Sequence, residues 1–235
     1  MCWQGCIIHN PDFLLLPFQE KKVKVPTFSP PMEEVKATSY PKYLILDVDG
    51  TLISEDTDEI DQVVPRPYLL YFLLFCFQSF HGVAIFSAAS RYWVFSVIQR
   101  HIRPLLPPSF QFLFVWSSER CTRKKLMTGL FDYEYITIKR LAKVTTSFPQ
   151  CTKHNMLVLD NTRTTFQENF GNGIHIPTFM STMTSDDYLL QATKYMANHL
   201  LHLPTVRFTE KRMWISIQQR DDQMETEKWS VDPVD

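Results

Sequence analysis

The 235-residue sequence has almost no excess charge: 24 lysines and arginines face 25 aspartates and glutamates, for a formal net charge of −1. No global basic field therefore draws the chain to nucleic acid or to anionic lipid. The five cysteines (Cys2, Cys6, Cys76, Cys121 and Cys151) are odd in number, scattered, and form no Cys-x-x-Cys pair. Such usage supports neither a disulfide framework nor a structural zinc site, and it predicts a reducing compartment. Long hydrophobic runs are missing too. The longest, Tyr68 to Phe77, is about half of the ~20 residues that a membrane helix needs. No basic stretch precedes the short apolar patch after His9, so no signal peptide is expected. No internal repeat is visible. These absences predict a soluble protein of the nucleus or cytoplasm, with no direct nucleic-acid or membrane partner. Its oligomeric state is not legible.

What remains is a chain with 45% apolar residues, enough to bury a full core as one domain with tails. Residues 1–40 contain Pro11, Pro17, Pro26, Pro30 and Pro31 without sustained periodicity, which predicts an irregular arm. The domain proper is expected over 41–205 and an extension over 206–235, with 218–235 polar enough to read as a loose tail. Within the domain, strand-like and helix-like segments alternate. Strands are expected at Leu44–Asp47, Val83–Ser87, Phe112–Trp116 and Met156–Asp160. Helices are expected at Pro67–Phe80, Ser90–His101 and Asp186–Leu203. Strands that alternate with helices predict an α/β fold, a doubly wound and mostly parallel sheet with helices on both faces.

The richest stretch is Tyr43-Leu-Ile-Leu-Asp-Val-Asp-Gly-Thr-Leu52. A short apolar run bounded by a turn reads as a buried strand, and residues two apart on a strand share a face. Asp47 and Asp49 can therefore converge at its carboxyl end, where open α/β sheets bind ligands. Two carboxylates repel each other unless a cation or a phosphoryl group sits between them. Gly50 permits a tight turn, and Thr51 offers a hydroxyl and an amide to an oxyanion. The bland alternative is an Asp-Gly turn after a strand. Phosphoryl transfer needs an in-line nucleophile, a cation at the phosphoryl oxygens and donors for the equatorial oxygens. Asp47 is the candidate nucleophile, and Asp49 the candidate general acid and base. Ser87 could bind a phosphoryl oxygen, or simply cap the following helix. Lys139 could neutralise phosphoryl charge, or be a solvated surface lysine. Asp160 and Asn161 offer oxygens to a hard cation such as Mg²⁺, or form an Asx turn.

Asp47-Val-Asp-Gly-Thr51, Ser87, Lys139 and Asp160-Asn161 resemble the four motifs of the haloacid dehalogenase superfamily. Arg66-Pro-Tyr-Leu-Leu-Tyr-Phe-Leu73, Ala84-Ile-Phe-Ser-Ala-Ala-Ser-Arg-Tyr-Trp-Val94 and Leu157-Val-Leu-Asp-Asn161 are similar to the FCP1-homology domain of C-terminal-domain (CTD) phosphatases. The first two look nearest to the ubiquitin-like-domain-containing members. The resemblance covers roughly residues 40–205 and implies a Mg²⁺-dependent protein serine/threonine phosphatase with an aspartyl-phosphate intermediate and a phosphoprotein substrate, including CTD-like phosphopeptides of RNA polymerase II. It further implies that Asp47 and Asp160 bind Mg²⁺ through side chains and Asp49 through its carbonyl. Ser87 and Lys139 then hold the phosphoryl group, with Asn161 in support. Two alternatives remain at this point. One is a non-catalytic FCP1-homology adaptor. The other is a small-molecule haloacid-dehalogenase phosphatase, which usually carries a sizeable cap; the short Thr51–Arg66 link leaves little room for one there.

Overall fold

A computed structural model describes residues 40–127 and 132–229. The arm expected over residues 1–40 lies, but for Tyr40, outside the described residues. Five strands form one parallel sheet: β1 (Tyr43–Leu46), β2 (Gly82–Phe86), β3 (Val115–Trp116), β6 (Met156–Asp160) and β7 (Gly173–His175). Their order is β3-β2-β1-β6-β7, with β1 in the centre. Leu44 lies beside Val83 on one flank and Leu157 on the other. The helices are α1 (Leu69–Ser79), α2 (Arg91–Val97), α3 (Leu141–Ser147), α4 (Tyr188–His199) and α5 (Trp214–Trp229). A separate antiparallel hairpin, β4 (Thr122–Met127) with β5 (Tyr133–Ile138), stands between β3 and α3.

The period of two along each strand divides the core. Leu44, Leu46, Val83, Ile85, Leu157 and Leu159 face a cluster built with α1 and α4, including Phe72, Leu73, Tyr195 and Met196. Ile45, Ala84, Phe86 and Val158 face the other way, against Leu141, Val144, Phe114 and Trp116. A sheet covered on both faces needs strands that are apolar at every position, which is why Leu44–Leu46 and Met156–Leu159 read as unbroken runs. The expected α/β, doubly wound architecture is the one observed.

Several boundaries differ from expectation. The helix expected from Pro67 begins at Leu69, because Arg66 is fixed by its side chain and the Leu69 amide donates to the Arg66 carbonyl at 3.1 Å. Tyr68 closes that turn with a left-handed φ of 63°. The helix expected from Asp186 begins at Tyr188, since the Asp186 carboxylate is bound to Arg66. The segment expected to be helical to His101 leaves α-geometry at Ile98 and continues as a wider π turn to Ile102, and Pro104 then ends it. The largest difference is at the carboxyl end. Where the composition of 218–235 suggests a loose tail, helix α5 runs to Trp229. Trp214 anchors it, buried beside Tyr195 and donating from Nε1 to the His175 carbonyl at 2.6 Å. An ion pair, Lys194–Asp222, and a hydrogen bond between His199 Nε2 and Asp221 Oδ2, both at 2.7 Å, tie α5 to α4. A helix that buries only one narrow stripe has a polar average composition, and composition alone then misses it.

Truncating Trp214 tests that docking. Trp214→Ala should cost about 3–5 kcal/mol of stability, read by denaturant unfolding. A loss below about 1 kcal/mol would show that α5 does not share the core.

Candidate active site

Three loop ends converge at the carboxyl edge of the sheet. β1 delivers Asp47 and Asp49, β2 delivers Ser87, and β6 delivers Asp160 and Asn161. Neighbouring parallel strands in register bring these ends together: Leu46 pairs with both Ile85 and Leu159. The Asp47 amide then donates to the Leu159 carbonyl at 3.0 Å, continuing the ladder into the turn.

The turn after Asp47 is tight. Gly50 has a φ of +68°, and a side chain there would meet Asn161 Nδ2 at 2.3 Å and Glu55 Oε2 at 2.7 Å. Glycine is required on both counts. Thr51 is fully buried. Its hydroxyl donates to Asn161 Oδ1 at 3.2 Å and accepts from the Asn161 amide at 3.1 Å. Its own amide donates to the Val48 carbonyl at 3.2 Å. Thr51 thus braces the β1 turn against the β6 turn, and the groups expected to meet an oxyanion are engaged within the protein. Asn161 extends the brace, donating from Nδ2 to Glu55 and Thr178, each at 3.1 Å.

Lys139 sits at the centre. It follows β5 directly, and its amide is held by the Thr165 carbonyl at 2.7 Å. The side chain is 2% exposed, so the surface-lysine alternative does not hold. Its Nζ contacts Asp47 Oδ1 at 2.5 Å and Asp160 Oδ2 at 2.7 Å. Burial alone would lower the Lys139 pKa, but the charges of Asp47 and Asp160 outweigh it and raise it above the usual lysine value. Asp160 is fully buried and further fixed by the Thr165 hydroxyl at 2.7 Å and the Thr162 amide at 2.8 Å. Asp47 is driven the other way. Burial, with the nearby Asp160 and Asp49 charges, outweighs Lys139 and pushes its carboxyl up to about 7.

Asp49 points to a different set of partners. Trp93 Nε1 donates to Oδ1 at 2.5 Å, and the Ser87 hydroxyl donates to Oδ2 at 3.4 Å. Burial raises its pKa, while those two hydrogen bonds pull it partly back. Ser87 also accepts from the Ala89 amide at 2.9 Å. It is not the helix cap; Ser90 fills that position, accepting from the Trp93 amide at 3.3 Å. Trp93 is a contact that strand-end reasoning missed, because it comes from the first turn of α2. The Ser90 cap four residues downstream of Phe86 was the available signal, since it fixes which helical residues face the strand ends.

Arg66 was missed as well. It is 1% exposed and makes a two-pronged bond to Asp186, with Nε–Oδ1 and Nη2–Oδ2 both at 2.8 Å. Nη1 also donates to the carbonyls of Gly50 and Thr51 at 3.3 and 3.2 Å, and Nη2 to that of Pro177 at 2.9 Å. One guanidinium therefore locks the turn after Asp47 to the loop before α4, using the planar fork that lysine lacks.

Among the described residues, no group of three or more acidic, histidine or cysteine side chains is placed to hold a metal ion ready-made. The donor chemistry nonetheless fits a small hard dication. Asp47 and Asp160 converge on one point from adjacent strands, where they share a single lysine, with Asp49 alongside. One or two carboxylates, completed by water and substrate phosphate, are the usual protein share of an Mg²⁺ shell.

The raised Asp47 carboxyl has a stability consequence in metal-free buffer. Between about 3.8 and about 7 the folded chain keeps a proton there that the unfolded chain has lost. Stability from this group is therefore present at low pH and falls as pH rises to about 7, after which it is flat. Asp47→Asn should flatten that slope in melting temperature against pH. Identical slopes for the variant and the parent protein would contradict the raised pKa.

Residues 42–207 match the model of the NLI interacting factor-like phosphatase family. No curated protein matches the sequence. The chain is similar to two solved structures. One is a variant of the fission yeast RNA polymerase II CTD phosphatase Fcp1 bound to beryllium fluoride, with 15% identity, 79% of this chain and 56% of that chain covered, and a TM-score of 0.41. The other is a further structure of Fcp1, described as an essential RNA polymerase II CTD phosphatase, with 13% identity, coverage of 80% and 64%, and a TM-score of 0.40. The chain spans less than two thirds of either. The family match runs from Lys42, just ahead of β1, to Arg207, beyond α4. It takes in every strand described above, and the chain belongs to the NLI interacting factor-like phosphatase family.

Proposed function

We propose that this chain is a Mg²⁺-dependent protein serine/threonine phosphatase that works through an aspartyl-phosphate on Asp47, with CTD-like phosphopeptides as its substrate class. The observation that carries the reading is the Asp47–Lys139–Asp160 cluster at the ends of β1 and β6, with Asp49 beside it on separate hydrogen bonds. Such an arrangement gives two chemically distinct carboxylates in one site, one paired with a cation and one on neutral donors.

In the first step the ionised Asp47 carboxylate attacks phosphorus in line, and the bond from phosphorus to the serine or threonine oxygen breaks. Lys139 turns part of its charge from Asp47 to the phosphoryl oxygens, and the Ser87 hydroxyl supplies a further donor. Asp49, in its protonated form, gives its proton to the leaving oxygen. In the second step Asp49 takes a proton from water, the water oxygen attacks phosphorus, and the Asp47 carboxylate departs. Trp93 and Ser87 fix the Asp49 oxygens through both steps. Mg²⁺, when held by Asp47 and Asp160 with Asp49 alongside, supplies positive charge at the phosphoryl oxygens.

Protein substrates are favoured over small metabolites by what fills the Ser87–Lys139 interval. Its described residues form α2, β3 and the β4–β5 hairpin, and among them is no second domain that would roof the strand ends. The intact Asp47–Lys139 pair also supports catalysis over an adaptor role. No helix among the described residues is long and apolar enough to cross a membrane, and the reading places the protein in the nucleus or cytoplasm.

Asp49→Asn keeps the nucleophile and removes the base for water. With an activated aryl phosphate and Mg²⁺, this variant should accumulate one covalent phosphate on Asp47, visible by intact mass after acid quench and labile to hydroxylamine. Chelator should abolish the adduct, and Asp47→Asn should form none. Full turnover in chelator, or an adduct that maps to Ser87, would overturn the mechanism.

A further inference from the structure

One cleft is lined by residues outside the Lys139 cluster. It has a volume of about 620 Å³ and follows the 3₁₀ segment Arg163–Asn172 on one wall and residues 207–212 on the other. Four cations line it (Arg163, Arg207, Lys211 and Arg212) against one carboxylate, Glu210. Glu210 is already committed to Arg212, at 3.2 Å. Arg207 is held open by packing on Gly171 and by donating to Asn172 Oδ1 at 2.9 Å. Arg163 makes no ion pair among the described residues.

Lys211 is the unusual member. It is 3% exposed, and its ammonium is held by the carbonyls of Val206 and Thr209, the second at 2.7 Å. No carboxylate among the described residues lies within ion-pair distance of it. Burial pulls its pKa down to about 8. A buried ammonium with only neutral partners is costly, and an anion in the cleft would offset that cost. Two aromatic rings complete the lining, Phe170 at 60% and Phe208 at 87% exposure. Rings left that far in water beside a cationic cleft suit a ligand that alternates acidic and apolar groups.

We propose that this cleft docks an acidic peptide segment, carboxylates against Arg163, Arg207 and Arg212 with the buried Lys211 charge behind them, and apolar side chains against Phe170 and Phe208. On the phosphatase reading above, on which this part rests, the segment belongs to the substrate protein and flanks its phosphorylated residue. The geometry permits that. Arg163 follows Asp160 by three residues, so its backbone lies at most about 11 Å from that of Asp160, a span of three or four peptide residues. Nucleic acid is the less suitable ligand. The cleft gathers only four basic groups in a chain with net charge −1, whereas backbone tracking of a strand needs an extended basic groove.

Binding to a probe that cannot be hydrolysed separates this proposal from the phosphatase reading. A fluorescein-labelled octapeptide of alternating aspartate and leucine should bind the full chain in fluorescence anisotropy. Its asparagine–leucine counterpart and an eight-nucleotide oligothymidylate should bind at least tenfold more weakly. Arg163→Ala combined with Arg212→Ala, both exposed positions, should weaken the acidic peptide at least tenfold without lowering the melting temperature, and Phe208→Ala should weaken it severalfold. Equal affinity for the asparagine peptide, tighter binding of the oligonucleotide, no binding at all, or indifference to the double substitution would each overturn the docking site. None of these outcomes bears on whether Asp47 is phosphorylated.

Discussion

One ammonium group organises the carboxyl edge of this sheet. Asp47 and Asp160 end two adjacent parallel strands, and without a cation between them their charges would force the strand ends apart or hold them protonated. Lys139 lies between both, at 2.5 and 2.7 Å, with its side chain out of water. The cost of burying it is met by two carboxylates instead of one, so its pKa rises while that of Asp47 is pushed up towards neutrality. The site is consequently short of positive charge. A phosphoryl group alone would make it more negative, which is why a divalent cation belongs in the proposed chemistry.

The rest of the edge is held by groups that carry no part of that chemistry. Arg66 binds Asp186 in two-pronged fashion and reaches the carbonyls of Gly50 and Thr51. Thr51 and Asn161 exchange hydrogen bonds across the β1 and β6 turns. Together they fix the Asp47-to-Thr51 turn from both sides. Preorganisation of this kind lets the acids meet a substrate without rearranging the backbone first. Trp93 does the same for Asp49, and it couples that acid to the first turn of α2.

Much of this was legible in the residues. The apolar runs at Leu44–Leu46 and Met156–Leu159 named the central strands, because burial on both faces leaves no polar position. The Asp-x-Asp-Gly-Thr turn, Ser87, Lys139 and Asp160-Asn161 were each identifiable, and the fold brings all of them to one edge. Other features were not. Arg66 pairs with Asp186 across 120 residues, and no local pattern reports so distant a partner. The β4–β5 hairpin is rich in exposed lysine, arginine and tyrosine, so it lacks the apolar alternation that marks a half-buried strand. Helix α5 buries Trp214 and Gln218 on one narrow stripe, and its polar average masks that stripe.

The central claim is that the Lys139 ammonium is what allows two carboxylates to occupy the buried strand ends. Chemical unfolding at pH 8 of Lys139→Met, alone and combined with Asp47→Asn and Asp160→Asn, measures it directly. The account predicts that Lys139→Met costs about 3–5 kcal/mol, because it leaves uncompensated buried charge, and that the triple variant regains a substantial part of that loss. A loss below about 1 kcal/mol for Lys139→Met, or no recovery in the triple variant, would contradict it.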